Sequence, residues 1–354
     1  MNPARVVGPA PPPTAAPLQF HRRLPGYAMT PLVDAAALAR DLGLDRLLVK
    51  DESSRLGLPS FKILGASWAT YQLLIGQIGH EPNWSSLDDL RIELAPLGPL
   101  TLVAATDGNH GRAVARVARW LGYQARIFVP EGTAEARTDG IASEGAAVTV
   151  IDGTYDDAVA ASAALADERV LVVSDTSWEG YVDVPSWVID GYGTIFAEVD
   201  EQLAGEPVDA VVVQMGVGAL AAAVCDHFAA SSTIVAVEPV DAACGLHSAR
   251  AGGPTEVPGP HRSIMAGLNC GNVSPIAWPR VAAGVDLFVA VEDGAAERAM
   301  RDLASVAVVA GETGAAGLAG LRAALDGGHD LGRSILVLCT EGATDPEAYA
   351  RIVG

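Results

Sequence analysis

The chain reads as an α/β protein built from two doubly wound, mostly parallel sheets, and three observations predict this. Short β-branched runs alternate with Ala-rich helical stretches over nearly the whole length. Most of the runs are continuously apolar, without polar alternation, which suits strands covered on both faces. The candidate strands number nine, enough to strain one twisted sheet, so two sheets are expected.

Taken in order, Arg46–Lys50 is the first candidate strand. Pro59 and Ser60 then start a helix with Lys62 in its opening turn. Thr101–Ala105 runs into Thr-Asp-Gly-Asn-His-Gly and a second helix. There Val114, Val117, Ala118 and Leu121 follow the helical spacing, and Gly122 stands at the stop. Arg126–Val129, Ala147–Ile151 and Arg169–Val173 come next, the last leading into Ser174–Tyr181. Ala210–Met215 ends in a Gly-Val-Gly turn. Thr233–Val237 and Leu287–Val291 flank Ala251–Arg262, a surface loop by its Gly and Pro content. Ser334–Leu338 closes the series. No internal repeat is present, and no linker is long enough to separate independent units.

The 354 residues suffice for substantial cores, and with half of them apolar and only 19% charged, long-range disorder is excluded. A net charge of −20 argues against nucleic acid or an anionic membrane as partner. No apolar run reaches the roughly 18 residues of a membrane span. Met1–Gln19, rich in Pro and Ala, lacks the pattern of a signal peptide, so a cytoplasmic location is expected. Cys225, Cys244, Cys270 and Cys339 show no C-x-x-C spacing and no His partners, so no metal site is expected. A Cys244–Cys270 bridge is conceivable on loops, but a reducing cytosol argues against it.

In doubly wound sheets ligands sit at the carboxyl ends of the strands, so chemistry is sought just after each run. Lys62 lies in Leu-Pro-Ser-Phe-Lys-Ile-Leu-Gly. A lysine at the positive end of a helix is electrostatically misplaced, which favours a neutral amine able to form an imine. Local pattern alone favours an exposed lysine on a short loop. Gly108 and Gly111 let backbone approach a ligand, and the helix start between them attracts anions. Asp107 reads equally as an N-cap, Asn109 as a turn residue and His110 as a hydrogen-bonded structural histidine. Gly216 and Gly218 can form a phosphate-holding nest of N–H groups, or merely a tight turn. The turn lacks the third glycine and the downstream acid of a dinucleotide fingerprint, which disfavours hydride chemistry. Trp178 and Tyr181, near Asp175 and Glu179, suit a pocket for a small cation or ordinary loop packing. Cys339 or Thr340 can meet a heteroaromatic nitrogen, though alone they mark only a turn.

Together, and in this order, these segments resemble the fold-type II pyridoxal-phosphate enzymes, the tryptophan synthase β and threonine dehydratase superfamily. The chain is similar, more specifically, to the diaminopropionate ammonia-lyase family. That likeness is carried by Lys50–Gly65, Ala105–Arg112, Asp175–Tyr181, Ile264–Gly271 and Thr340–Asp345, and spans about Pro31 to Pro346. The resemblance implies pyridoxal 5'-phosphate between two domains. Residues 1–60 with 190–354 would form a large cofactor-binding domain, and 61–189 a small one carrying the Asp107/Asn109 loop. It implies Lys62, Asp107 and Asp175 as catalytic residues. Phe61, Asn109, Gly216, Val217, Gly218, Ala219, Leu220, Cys339 and Thr340 would join Lys62 in holding the cofactor. Ser60, Thr106, Asp107, His110, Asp175 and Tyr181 would meet the substrate, and the enzyme would be a homodimer.

Asp107 is the distinguishing residue, because serine/threonine dehydratases tend to carry serine there. A carboxylate can pair with a cationic amine or act as a second base, which a hydroxyl cannot. The expected reaction is α,β-elimination of 2,3-diaminopropionate to pyruvate and two ammonia. Lys62 would serve as base for one enantiomer and Asp107 for the other. Departures from the family pattern are an apolar Gly-Val-Gly-Ala-Leu turn and Cys339 where many relatives have serine or threonine. Two alternatives stay open: a serine/threonine dehydratase or β-replacement enzyme, and a non-catalytic sensor of pyridoxal phosphate or an amino acid.

Overall fold

A computed structural model of the chain describes residues 1, 2, 5, 15–106 and 108–354; Asp107 lies outside them. Among these residues ten strands form two sheets. They are β1 Leu32–Asp34, β2 Arg46–Asp51, β3 Thr101–Ala105, β4 Gln124–Pro130, β5 Ala147–Ile151, β6 Val170–Val172, β7 Ala210–Gln214, β8 Thr233–Pro239, β9 Leu287–Val291 and β10 Ser334–Cys339. The chain divides into two compact units. One holds Met29–Ser54 and Ile195–Gly354 with the described residues of Met1–Thr14; the other holds Ala15–Ala28 and Arg55–Thr194. The divisions expected at 60/61 and 189/190 thus stand against divisions at 54/55 and 194/195, and Ala15–Ala28 joins the smaller unit.

The larger unit carries the sheet β1-β2-β10-β7-β8-β9. All its neighbours run parallel except β1, which pairs antiparallel with β2. β1 escapes a reading of the sequence because three residues are too short for any periodicity. β7 is buried at every position, as its unbroken Ala-Val-Val-Val-Gln predicts. The helix Glu312–Asp326 packs across β7, β8, β9 and β10. Gly320 permits this approach, since a Cβ there would lie 2.1 Å from Val237 Cγ2. Each Val, Leu or Ile so buried contributes roughly 1.5–3 kcal/mol.

Lys50, at the end of β2, is fully buried. Its Nζ donates to Glu198 Oε2 at 2.8 Å, Gln202 Oε1 at 2.9 Å and the Thr30 carbonyl at 2.9 Å. Thr30 Oγ1 donates onward to Glu52 at 2.6 Å. A buried cation needs such a full set of partners to offset its lost hydration.

The smaller unit carries the all-parallel sheet β5-β4-β3-β6. β5 and β6 are its edges. β5 departs from the expected two-sided burial, with Ala147 and Val150 exposed, because no strand lies beyond it. The first helix of the site starts at Lys62, after Phe61, rather than at Pro59 and Ser60; it runs Lys62–Ile78 and ends on left-handed Gly79. The second runs Asn109–Leu121 and stops on left-handed Gly122, as its spacing predicts.

All four cysteines are free thiols, Cys244 and Cys270 included. Among the described residues no helix is long and apolar enough to cross a membrane. No group of three or more His, Cys, Asp or Glu among them is placed to hold a metal ion.

Candidate active site

In the smaller unit the site is built on the carboxyl ends of β3 and β6. Lys62 opens its helix one residue after Phe61, and its side chain is about one-fifth exposed. Its Nζ lies 2.6 Å from Asp175 Oδ2 and 5.4 Å from the Phe61 ring centre. Asp175 follows β6 and is buried. Burial pushes its carboxyl up, but the Lys62 ammonium, the His110 ring and hydrogen bonds outweigh this and hold it well below the usual carboxylate range. A lysine opposite a carboxylate that stays ionised forms an ion pair, in which the carboxylate fixes where the ammonium sits.

His110 sits in the first turn of its helix. Its Nε2 donates to the Val173 carbonyl at 2.8 Å, and its Nδ1 lies 3.9 Å from Asp175 Oδ2. His110 is thus the hydrogen-bonded histidine of the structural reading: the ring is tied to backbone and lies beside the Asp175 carboxylate. Asn109 is the first residue of the same helix and half-buried. Thr106 Oγ1 accepts from the Gly108 N–H at 2.9 Å. Gly108 stands at φ +149°. Gly111 is required beside Thr106, because a Cβ would come within 2.4 Å of Thr106 Cγ2. Ser60 is buried two residues before Lys62.

Tyr181 departs from its expected contact with substrate. Its hydroxyl donates to the Val172 carbonyl at 2.8 Å and accepts from the Ser174 N–H at 3.1 Å. Its ring stacks on Trp178 at 4.1 Å. The side chain clamps the loop that carries Asp175, and burial pushes its phenol up.

Two tyrosines absent from the motif reading join this half-site. Tyr155 Oη lies 3.5 Å from Asp175 Oδ1. It opens a helix capped by Thr154 and Asp157 just past β5, so the rule of looking beyond each strand end would have found it. Tyr192 is fully buried, with its ring 4.7 Å from Phe61. Burial pushes its phenol up, against the pull of the Lys62 charge. Only the fold brings Tyr192 there, from a helix far along the chain.

The larger unit holds the glycine turn at the end of β7. Gly218, at φ +99°, occupies the left-handed region and caps the helix Ala219–Phe228. At Gly216 a Cβ would sit 3.0 Å from the Gly267 carbonyl oxygen, so a larger residue would require that backbone to give way. With Val217, Ala219 and Leu220 this turn presents backbone N–H groups that have no partner inside the helix, the usual cradle for a phosphate.

At the end of β10 the structure separates Cys339 from Thr340. Cys339 packs in the apolar core with Val49, Ile335 and Val337 and is fully buried. Its Sγ donates to the Glu341 carbonyl at 3.5 Å, and burial together with Asp51 and Glu341 pushes the thiol far up. The expected contact of Cys339 with a cofactor is thereby replaced by a core contact, as its alternation with Ile335 and Val337 on one strand face dictates. Thr340 instead meets Gln214, whose Nε2 donates to Thr340 Oγ1 at 2.7 Å. A polar residue ending an apolar strand was the only signal for Gln214 in the sequence.

These residues fit pyridoxal phosphate. Taken by itself, the smaller unit has a part-exposed lysine with an ionised carboxylate beside it, as an imine-forming group needs; the larger unit, taken by itself, has a backbone turn suited to a phosphate and a buried threonine hydroxyl.

Residues 23–341 match the family model described as pyridoxal-phosphate dependent enzyme. The chain is 36% identical over 366 residues to diaminopropionate ammonia-lyase of Salmonella typhimurium, covering 95% of this chain and 90% of that protein. Among solved structures it is similar to diaminopropionate ammonia lyase from Escherichia coli in complex with D-serine. The TM-score is 0.91 at 34% identity, over 99% of this chain and 95% of that one. The same Escherichia coli enzyme in complex with an aminoacrylate-PLP azomethine reaction intermediate superposes with a TM-score of 0.88 at 32% identity, with the same coverage.

Proposed function

Because the chain belongs to the pyridoxal-phosphate dependent enzymes and, within them, to the diaminopropionate ammonia-lyases, we propose that it converts 2,3-diaminopropionate and water to pyruvate and two ammonia. The observation that carries the reading is the pairing of Lys62 with the buried, ionised Asp175 at 2.6 Å. When bound through Lys62, pyridoxal phosphate supplies the conjugated ring that stabilises negative charge at the substrate Cα.

The residues divide the remaining work. The Gly216–Leu220 turn would hold the phosphate through backbone N–H groups, and Phe61, Asn109 and Thr340 would hold the rest of the cofactor, Thr340 at the pyridine nitrogen. Lys62 Nζ removes the Cα proton of one enantiomer, and Asp107 that of the other. Asp175, as an ionised carboxylate, pairs with the protonated β-amine, which leaves as the first ammonia while the Cα–Cβ double bond forms. The released aminoacrylate takes up water and yields pyruvate with the second ammonia. His110 and Tyr155 keep Asp175 oriented, and Ser60 and Thr106 line the substrate side.

The direct test is pyruvate formation from D- and L-diaminopropionate against D- and L-serine. Diaminopropionate is the better substrate on this reading. A preference for serine or threonine would make the enzyme a dehydratase, and no turnover on any of them would leave a binding protein. The reading carries a cytoplasmic homodimer with it, to be tested by sedimentation of the purified protein.

A further inference from the structure

Gln214 ends β7 and is 3% exposed. Its Nε2 is surrounded by acceptors: the carbonyls of Thr313 at 3.0 Å, Gly314 at 3.3 Å and Leu338 at 3.2 Å, and Thr340 Oγ1 at 2.7 Å. This environment decides the orientation of the amide, because the reverse placement would set Oε1 against three carbonyl oxygens. The cost falls on Oε1, which is buried without a hydrogen-bond partner among the described residues and points at Gly317. Thr340 is 2% exposed, so solvent competes little for its hydroxyl. Its oxygen accepts from Gln214, and among the described residues no acceptor takes its proton.

We propose that Gln214 is a positioning residue that makes the Thr340 hydroxyl a one-way hydrogen-bond donor toward the pyridine nitrogen of the cofactor. The inference rests on the reading above that Thr340 faces that nitrogen. A threonine alone could donate or accept. With Gln214 donating into one lone pair and no acceptor for the proton among the described residues, Thr340 satisfies its hydroxyl by giving that proton to the ring nitrogen, which takes it only if it keeps its lone pair. Gln214 thereby selects the neutral pyridine, from a position where it need not touch the cofactor itself.

The test uses the full chain reconstituted with pyridoxal phosphate, unlabelled for affinity and ¹⁵N-labelled at the ring for NMR. Thr340→Val is expected to weaken cofactor binding roughly tenfold, the loss of one buried hydrogen bond, while Thr340→Ser retains it. Gln214→Leu should produce a loss of similar size, and the double variant should be no weaker than either single one, as for two residues acting as one unit. The nitrogen resonance of Gln214→Leu should move toward the protonated position. Gln214→Glu keeps the shape and guards against misfolding. It should bind normally at low pH, where its carboxyl donates, and progressively less well as that carboxyl ionises.

If Thr340→Val binds as the unchanged protein does, the reading of Thr340 fails and the inference with it. If Thr340→Val loses affinity but Gln214→Leu does not, or the two losses simply add, Thr340 stands and the role of Gln214 is overturned. A Gln214→Glu protein with no pH dependence of binding also overturns it.

Discussion

At the scale of single residues, the site turns on one contact, Lys62 Nζ to Asp175 Oδ2 at 2.6 Å. Lys62→Ala should abolish the visible absorbance of the bound cofactor and lower kcat by at least roughly 10²–10⁴-fold, measured by pyruvate release. Asp175→Asn should keep cofactor binding and lower kcat by a comparable factor, because a neutral amide cannot pair with the leaving ammonium as the carboxylate does. In the cofactor-free protein the same carboxyl titrates below its ordinary 3.8, so its contribution to stability is present above that pH and is lost on acidification. Acid denaturation of Asp175→Asn should therefore lack part of the acid-side loss seen in the unchanged protein. Around this carboxylate stand His110 at 3.9 Å and Tyr155 at 3.5 Å, and Tyr181 bonds the backbone of the loop that carries it.

At the scale of elements, the helix Lys62–Ile78 is set by a close approach to the helix Asp183–Leu203. A Cβ on Gly65 would lie 2.6 Å from Tyr192 and 2.7 Å from Val188, and a Cβ on Gly191 would lie 2.6 Å from the Leu64 carbonyl oxygen. Gly65→Ala should cost roughly 1–3 kcal/mol of stability by overpacking. Because the displaced helix begins at Lys62, cofactor affinity should fall as well; thermal melting and absorbance titration check the two effects separately. The motif reading placed Gly65 inside the Lys62 segment but assigned it no role. The partner in this contact is more than a hundred residues away, and local periodicity carries no information about it. The β7 and β10 ends behave differently. Their apolar runs were legible as strands, yet which of Cys339 and Thr340 faces the core depended on the register of the β10 pleat.

At the scale of the molecule, one buried acid links stability to pH. Glu238, at the end of β8, accepts from the Gly245 and Leu246 N–H groups at 2.6 and 2.8 Å. Burial nevertheless pushes its carboxyl from 4.5 up to about 7, against the pull of those N–H groups and the Cys244 thiol. The folded protein therefore binds more protons than the unfolded chain between these values. The contribution is fully present below pH 4.5 and lost as pH rises through about 7, a span worth roughly 3 kcal/mol. Urea denaturation at pH 5 and pH 8 should show this decline in the cofactor-free protein. Glu238→Gln, which cannot titrate, should show a flatter profile; an unchanged slope would remove Glu238 as its source.

The alternation of apolar runs with helical stretches, the two sheets and the order of lysine, Asn loop, glycine turn and strand-end hydroxyl were all present in the sequence alone. They are local patterns, set by side-chain period and by glycine where the backbone must turn, so they survive without the fold. The Lys62 with which the chemistry begins was locally indistinguishable from a loop lysine, and Lys50, twelve positions earlier, was no less plausible a cation. Tertiary structure separated them. It buried Lys50 among Thr30, Glu198 and Gln202 as a structural ion pair, and left Lys62 part-exposed beside one ionised carboxylate. It likewise sent Cys339 to the core, spent the Tyr181 hydroxyl on backbone, brought Tyr155 and Tyr192 to the Lys62–Asp175 pair, and set Gln214 against Thr340. Burial and pairing depend on contacts between distant segments, and those decide the charge state on which the chemistry depends.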